Sequence, residues 1–315
     1  MGICSRRLLV VAILAALCIL AVGNLHDDWD IDGGPQHAQF TGDSNGVALS
    51  LTSSLGTCTW CINQNLSARV VLKLFEPRRT GCRLRTKKQF IYGRISSLIK
   101  LVPGDSAGTI ATLYASTFRR NKHDDIDFEF IGDVAGQPYT IHTNLFSASV
   151  GNKEVEFKPW FDATAGFHNY TISWSPCMVV WYIDEIPIRV FRNYEASHGV
   201  PYPTSLPMYG YASIWNTTAP WATHGGRVKT DWSKAPFVAN YNQINLDICE
   251  CNGDGGGCVG NCPMAEFGSV CRPSTRSSTT ATAMARQQPS AGWHSTEAVA
   301  KNKTYILRAF LISSY

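Results

Sequence analysis

The segment 123–132 carries three acidic residues at every second position. They are Asp125, Asp127 and Glu129, and apolar residues stand between them. A period of two predicts a β-strand that presents the acids on one face and the apolar groups on the other. Carboxylates at such short range repel one another and raise one another's pKa. A fold tolerates this electrostatic cost more readily in a solvent-filled cleft where the carboxylates have a function. Paired carboxylates across a cleft are typical of glycoside hydrolysis, in which one group protonates the leaving oxygen and the other attacks or positions water.

A simpler interpretation of this segment stays open on the pattern alone. Acids also occupy the solvent face of an edge strand, where they only make the surface soluble. A short motif is a hypothesis until its structural context fits.

Strand patterns dominate the rest of the chain. Alternating or apolar stretches occur at 46–52, 90–102, 178–191, 208–215 and 237–248, with Gly, Pro, Asn and Asp between them. Many short strands separated by turn residues predict an all-β antiparallel β-sandwich rather than repeated βαβ units. We find no internal repeat.

Several further segments, in order along the chain, resemble one known family. The acidic segment reads HDDIDFEFIG, close to the pattern HDEIDFEFLG of xyloglucan endotransglucosylase/hydrolases in glycoside hydrolase family 16. The other matching segments read LVPGDSAGT (101–109), PYTIHTN (138–144), PIRVF (187–191) and WATHGGRVKTDWSKAPF (221–237). The resemblance covers roughly residues 25–56 and 80–260. It implies a concanavalin A-like jelly-roll over residues 24–248, in agreement with the sandwich predicted from the strand patterns.

The resemblance also implies roles for the three acids. Asp125 takes the place of the nucleophile, Asp127 that of its helper and Glu129 that of the acid/base in a retaining mechanism. The family has Glu where this chain has Asp125, which is one methylene shorter. A misplacement of about 1 Å in a reacting group can cost on the order of 10²-fold in rate. Asp is nevertheless a competent glycosidase nucleophile.

Substrate contacts follow from the same resemblance. It places His142, Thr143 and Asn144 in the cleft, and it places a polar sugar contact at Asn152, Lys153 and Glu154, where Lys153 replaces a family Arg. Trp221, in a loop with Gly225, is the stacking candidate, because pyranose faces pack on aromatic rings. For the polar residues an exposed turn is the alternative, and for Trp174 and Trp181 we expect core packing. His142 has no second ligand at metal-binding spacing, so we predict neither metal nor cofactor.

The N-terminus has the pattern of a cleavable signal peptide over residues 1–23. Arg6 and Arg7 precede a short apolar run that ends in small residues. The alternative, a membrane anchor, needs about 20 apolar residues. We therefore expect a secreted chain of the cell wall or apoplast, without membrane attachment after cleavage, and a monomer. The net charge of +4 is too small to indicate nucleic-acid binding.

Two regions depart from the family pattern. Residues 57–79 form an insertion with a Cys58-x-x-Cys61 pair, interpreted as a surface loop or an unspliced stretch of the gene. Residues 249–315 form a divergent Cys-rich and Ser/Thr-rich C-terminal region. The resemblance implies a Cys249–Cys258 disulfide there, and secretion favours disulfides over zinc. Glycosylation sequons begin at Asn65, Asn169, Asn216 and Asn302.

Two functions of different classes are compatible with these observations. The first is an enzyme that cleaves xyloglucan and passes the fragment to a xyloglucan or oligosaccharide acceptor, or to water. The second is a wall polysaccharide-binding protein with weak or no catalysis, which Asp125 and the two divergent regions favour. A fold of this type serves both classes, so only the site can separate them.

Overall fold

Two antiparallel sheets, each of seven strands, form the part of the chain that the structure describes. The structure is a computed structural model and describes residues 25–42, 45–53, 81–117, 123–251 and 258. Its strands are β1 (Trp29–Gly33), β2 (Ala38–Phe40), β3 (Gly46–Leu51), β4 (Cys82–Thr86), β5 (Gln89–Lys100), β6 (Thr109–Ser116), β7 (Asp125–Ile131), β8 (Thr140–Phe146), β9 (Val155–Phe157), β10 (His168–Trp174), β11 (Met178–Ile183), β12 (Ile186–Arg192), β13 (Tyr209–Asn216) and β14 (Phe237–Cys251). The helices are short: α1 (Leu25–Asp28), α2 (Glu195–His198) and the 3-10 turns Pro35–His37, Pro220–Ala222 and Trp232–Lys234.

The strand order explains how distant segments meet at one surface. The first sheet runs β1-β4-β13-β6-β7-β8-β9 and the second runs β12-β11-β10-β5-β14-β3-β2. The acidic strand β7 lies inside the first sheet, paired with β6 and β8. The simpler interpretation of these acids, the solvent face of an edge strand, is therefore wrong, while the predicted all-β sandwich is confirmed.

The core lies between the sheets and is aromatic at the level of β7. Phe128 and Phe130 point inward and contact Tyr170 of β10, with ring centroids 5.8 Å and 4.6 Å from it. Trp174 and Trp181 are fully buried, as the strand patterns predicted. Burying such large apolar side chains is the main stabilising term of a sandwich of this kind.

The stretch 178–191, predicted from its apolar pattern, is a hairpin rather than one strand. Asp184 and Glu185 join β11 to β12 and both have positive φ, 49° and 60°. A two-residue turn with both φ values positive matches the twist of the flanking strands, and Asp tolerates it better than most residues. Because the alternating pattern continues across this turn, the sequence predicted one strand there instead of two.

The disulfide inferred from the resemblance is wrong. Cys258 is bonded to Cys251, the last residue of β14, and their Cα atoms are 4.1 Å apart. Cys249 is also disulfide-bonded, but not to Cys258. Both Cys249 and Cys251 are buried on one side of β14, because a strand returns the same face every two residues. Spacing along the chain could not separate two such neighbours.

Several predictions concern residues outside the described ranges. These are the signal peptide, the insertion at 57–79, the sequons at Asn65 and Asn302, and nearly all of the C-terminal region. Within the described ranges, no helix is both long and apolar enough to cross a membrane.

Candidate active site

Strand β7 carries the three acids on the outer face of the first sheet. Its pairing with β6 and with β8 continues without a bulge from 125 to 131. Because Phe128 and Phe130 fill the core, the alternate residues Asp125, Asp127 and Glu129 must point away from it. The sequence prediction that the acids share one face is therefore correct.

The residues opposite each acid define the surface around it. Directly paired residues of antiparallel strands lie on the same face of a sheet. Tyr114 of β6 and Asn144 of β8 flank Asp127, and Thr112 and His142 flank Glu129. Although it points outward, the Asp127 side chain is only 8% exposed. The acids thus lie in a depression lined by polar and aromatic groups.

Burial and mutual repulsion shift the pKa values of all three acids upward. Desolvation raises the pKa of Glu129 to about 7, and the charges of Asp125 and Glu154 add to the shift, while His142 opposes it. Desolvation also raises the pKa of Asp127 well above its usual range, reinforced by the flanking acids Asp125 and Glu129. A carboxyl group with a pKa of about 7 still holds its proton in mildly acidic solution, which general acid catalysis requires.

Asp125 is the acid with a histidine within ion-pairing distance. Burial raises its pKa, and His123 counteracts that shift. Nε2 of His123 lies 3.4 Å from Oδ2 of Asp125, and the interaction raises the pKa of the imidazole in turn. The other oxygen, Oδ1, is buried without a hydrogen-bond partner in the described part of the protein. Asp125 is therefore the acid whose ionised form a neighbouring histidine supports, and its Oδ1 is not held by a competing hydrogen bond within the described ranges.

Strand β8 brings two of its three predicted contact residues to this face. His142 and Asn144 lie beside Glu129 and Asp127, but Thr143 is opposite Phe128 and is fully buried. The prediction of a sugar contact for Thr143 is wrong. Three consecutive residues of a strand cannot all point to one face, because successive side chains alternate.

The segment 147–154 lies beyond β8 and borders the acids. Nδ2 of Asn144 donates to Oε1 of Glu154 at 3.4 Å, so Glu154 reaches the outer face. Asn152 is exposed with a φ of 62°. Nζ of Lys153 donates to the carbonyl of Val150 at 2.7 Å, which turns this side chain back onto its own segment. Glu154 is thus placed nearest to the acids, while Lys153 bonds within its own segment.

Trp221 forms the wall on the Glu129 side. It is 43% exposed, and its ring centroid lies 6.2 Å from that of His142 and 6.0 Å from that of Trp215. The loop continues to Gly225, which is exposed and has a φ of 74°. An exposed indole beside a polar depression is a suitable platform for a pyranose ring. Trp232, in contrast, packs against Phe237 of the core.

A cluster of tyrosines and arginines on the opposite side was missed in the sequence. Tyr114 stacks on Tyr211 of β13, with ring centroids 4.8 Å apart. The guanidinium of Arg83 lies over the Tyr211 ring at 5.1 Å and is ion-paired to Asp32. These residues come from β6, β13, β4 and β1, and no local motif links them. Only the strand order brings them together.

The two sequons inside the described ranges differ in their surroundings. Asn169 is half-buried, and its Nδ2 donates to Glu185 at 2.9 Å. Asn216, at the end of β13, is only 8% exposed. Its Oδ1 is buried without a hydrogen-bond partner in the described ranges, and glycosylation at either asparagine stays a prediction.

The arrangement supplies carboxyl groups for acid–base and nucleophilic chemistry. Within the described ranges, no group of three or more His, Cys, Asp or Glu side chains is arranged to hold a metal ion. Two carboxyl groups on one strand, Glu129 with a pKa raised to about 7 and Asp125 beside His123, are of the chemical type that serves as acid and nucleophile in glycoside hydrolysis.

The chain resembles known proteins in both sequence and structure. A family model for glycosyl hydrolases family 16 matches residues 25–234. This chain belongs to that family. Xyloglucan endotransglucosylase protein 7 of Diospyros kaki is 43% identical over 236 residues, which cover 75% of this chain and 78% of the relative. "Probable xyloglucan endotransglucosylase/hydrolase protein 12" of Arabidopsis thaliana is 43% identical over 241 residues, 75% of each chain.

Solved structures of other glycan-active proteins share the fold. A prokaryotic β-1,3-1,4-glucanase (lichenase) from a mouse hindgut metagenome superposes with a TM-score of 0.53 at 19% identity, covering 70% of this chain and 93% of its own. The Crh5 transglycosylase superposes with a TM-score of 0.52 at 19% identity, covering 73% of this chain and 80% of its own. At 19% identity these two comparisons show the fold alone, and they agree with a jelly-roll for this chain.

Proposed function

We propose that this chain is a retaining enzyme that cleaves the β-1,4-glucan backbone of xyloglucan and transfers the fragment to a second saccharide or to water. The relatives that match most of its length carry xyloglucan endotransglucosylase names. One observation carries the proposal: a single strand presents Glu129, whose pKa is raised, together with Asp125, which lies within ion-pairing distance of His123. The proposed setting is the plant cell wall, reached by secretion.

The proposed reaction has two steps. The Asp125 carboxylate attacks the anomeric carbon, the glycosidic bond breaks, and Glu129 gives its proton to the leaving oxygen. The glycosyl group is then held covalently on Asp125. In the second step, ionised Glu129 takes the proton of an incoming hydroxyl, whose oxygen attacks the anomeric carbon and releases Asp125. An acceptor sugar yields transfer, and water yields hydrolysis.

Asp127 has a supporting role in this proposal. It lies between the other two acids on the same face, and its Oδ1, like that of Asp125, has no hydrogen-bond partner in the described ranges. Its pKa is raised well above the usual range by burial and by both neighbours. A proton on Asp127 can be shared with Asp125, which satisfies both carboxyl groups and holds the nucleophile in place.

The short side chain of Asp125 is the feature of β7 that fits this mechanism least well. At about 3.3 Å per residue, the Cα atoms of Asp125 and Glu129 are roughly 13 Å apart along β7. Retaining enzymes bring the two carboxyl groups to about 5–5.5 Å from each other, so both side chains must lean inward. Asp reaches less far than Glu. This favours the second candidate, a xyloglucan-binding protein with little catalysis.

A transfer assay separates the two candidates. We expect that incubation of the protein with xyloglucan and a labelled xyloglucan oligosaccharide moves label into the polymer. Shortening of the polymer without incorporation of label would indicate a hydrolase. Folded protein that binds xyloglucan but does neither would establish the binding protein instead. A heat-denatured sample is the control for non-enzymatic adsorption of label.

The pH dependence of the proposed activity follows from Glu129. The general acid must carry its proton, and the pKa of Glu129 is raised to about 7. The rate is therefore expected to be sustained in mildly acidic solution and to fall as the pH rises through about 7. Initial rates of polymer cleavage across this range measure the effect, and circular dichroism at each pH controls for unfolding. A rate that kept rising above neutral pH would contradict Glu129 as the acid.

A further inference from the structure

A buried arginine crosses the core directly behind the acidic strand. Arg189 belongs to β12 of the second sheet and is 3% exposed. Its Nη1 donates to the carbonyl and to the hydroxyl of Thr143 on β8, at 2.6 Å and 2.9 Å. Its Nη2 donates to the carbonyl of Lys153. One side chain therefore joins the second sheet to β8 and to the segment 147–154, both of which border the acids.

Arg189 is also linked to β7 itself through Trp181. The two residues are direct neighbours across β11 and β12, and the guanidinium lies 4.6 Å from the centroid of the indole. Nε1 of Trp181 donates to the main-chain carbonyl of Asp127 at 2.9 Å. The pair thus holds the backbone of the middle acid from inside the core, on the side opposite to the proposed cleft.

Stability alone does not explain a charge at this position. Within the described ranges, no carboxylate lies within ion-pairing distance of Arg189, and its Nε has no hydrogen-bond partner. Burying a charge without an adjacent counter-charge is costly, and an apolar side chain of similar volume would often stabilise a core more. Burial lowers the pKa of Arg189 to about 10, and the charges that oppose this shift are those of Asp127 and Glu154.

We propose that Arg189 is a positioning residue for the three acids. Its hydrogen bonds hold β8 and the segment 147–154 at a set distance from β7. Its charge favours the ionised form of Asp127 through the sheet. Trp181 packs against the Arg189 guanidinium and hydrogen-bonds to the backbone of Asp127, so it links the two residues. The inference rests on the proposed function, because it assigns the residue to the same reaction.

The charges around Asp127 define what loss of Arg189 should do. The titratable groups that face Asp127 or its strand neighbours are Asp124, Asp125, Glu129, Tyr114, Glu154, His123, His142, Arg83 and Arg189. Among these, Arg189 is the permanent cation that acts on Asp127, and it is shielded from solvent. Its removal is expected to raise the pKa of Asp127, because an opposite charge that favours ionisation is lost.

The test compares a neutral and a charged replacement in the full-length protein. Arg189→Met and the polar neutral variant Arg189→Gln are expected to move the acidic limb of the pH–rate profile upward by about 0.5–1 unit. Arg189→Lys is expected to leave that limb in place while lowering kcat, because it keeps the charge and loses the forked hydrogen bonds. Arg94→Met, an exposed arginine on β5 paired with Glu185, is the matched control.

A second readout does not depend on activity. Carboxyl-carbon NMR of Asp127 should show its pKa raised in Arg189→Gln and unchanged in Arg94→Met. If all Arg189 variants lower the rate equally at every pH, and the pKa of Asp127 does not move, Arg189 is merely structural and the inference is wrong. If the native protein shows no activity but the pKa of Asp127 moves as expected, the proposed function fails and, with it, the role of Arg189 in the reaction, while the effect of Arg189 on the ionisation of Asp127 is supported.

Discussion

Substitution of Glu129→Gln is expected to reduce cleavage and transfer of xyloglucan by about 10²–10⁴-fold, the usual contribution of general acid–base catalysis. Glutamine keeps the shape of the side chain but cannot give its proton to the leaving oxygen. Initial rates with polymer and labelled acceptor measure the loss. A donor with an acidic aryl leaving group, which needs no proton to depart, should still undergo the first step.

The stability of the same variant checks that the loss is chemical. The native pKa of Glu129 is raised to about 7, above that of an unfolded Glu. A group with a raised folded-state pKa favours the native state below its unfolded pKa, and that contribution is lost as the pH rises through about 7. Above about pH 7 the native protein must bury the ionised Glu129 carboxylate, which lowers its stability. Gln carries no charge, so the Tm of Glu129→Gln above neutral pH should equal or exceed the native value. Glu250→Gln, exposed on β14, is the matched control and should retain activity. Native-like rates in Glu129→Gln would exclude Glu129 as the acid.

Substitution of Asp125→Glu is expected to raise activity by on the order of 10²-fold, because a shortfall of about 1 Å in a reacting group can cost that much. The extra methylene carries the carboxylate toward the bond to be cleaved. Oδ1 of Asp125 has no hydrogen-bond partner in the described ranges that a longer side chain would have to break. The measurement is kcat for polymer cleavage and for transfer to the labelled oligosaccharide.

The Asp125→Glu result also separates the two candidate functions. Asp247→Glu, an exposed acid on β14, controls for a general effect of the added methylene and should change nothing. If native protein is active and Asp125→Glu is no faster, the cleft is built for the shorter side chain. If both forms are inactive but bind xyloglucan, the chain is a binding protein. Asp125→Asn should abolish any activity that depends on a covalent intermediate.

The acidic strand was predictable because its pattern is local. Alternation of acids with Phe128 and Phe130 places the two sets on opposite faces wherever the strand lies. Burial of Trp174 and Trp181 followed from the same rule and is confirmed. The family was predictable because its motifs are short continuous segments, and the matches over residues 25–234 confirm it.

Two predictions drawn from the resemblance failed, at Thr143 and at Cys249. Thr143 was expected at the sugar because its neighbours are there, yet its pairing with Phe128 turns it into the core. Cys258 bonds Cys251 rather than Cys249, although both of these cysteines are buried on one face of β14. Alternation along β8 already excludes three consecutive residues from one face, but only the strand pairing shows which of them lie beside the acids.

The amino-acid sequence by itself determined which side chains could do chemistry and which face of a strand they share. A period of two is a property of the backbone and needs no partner. Only the tertiary structure decided what surrounds them. The order of strands places Tyr114, His142 and Asn144 beside the acids, and the packing of the two sheets places Arg189 and Trp181 behind them. The pKa values that suit Glu129 and Asp125 to different roles arise from that burial and those neighbours, because charge interactions depend on distance in space.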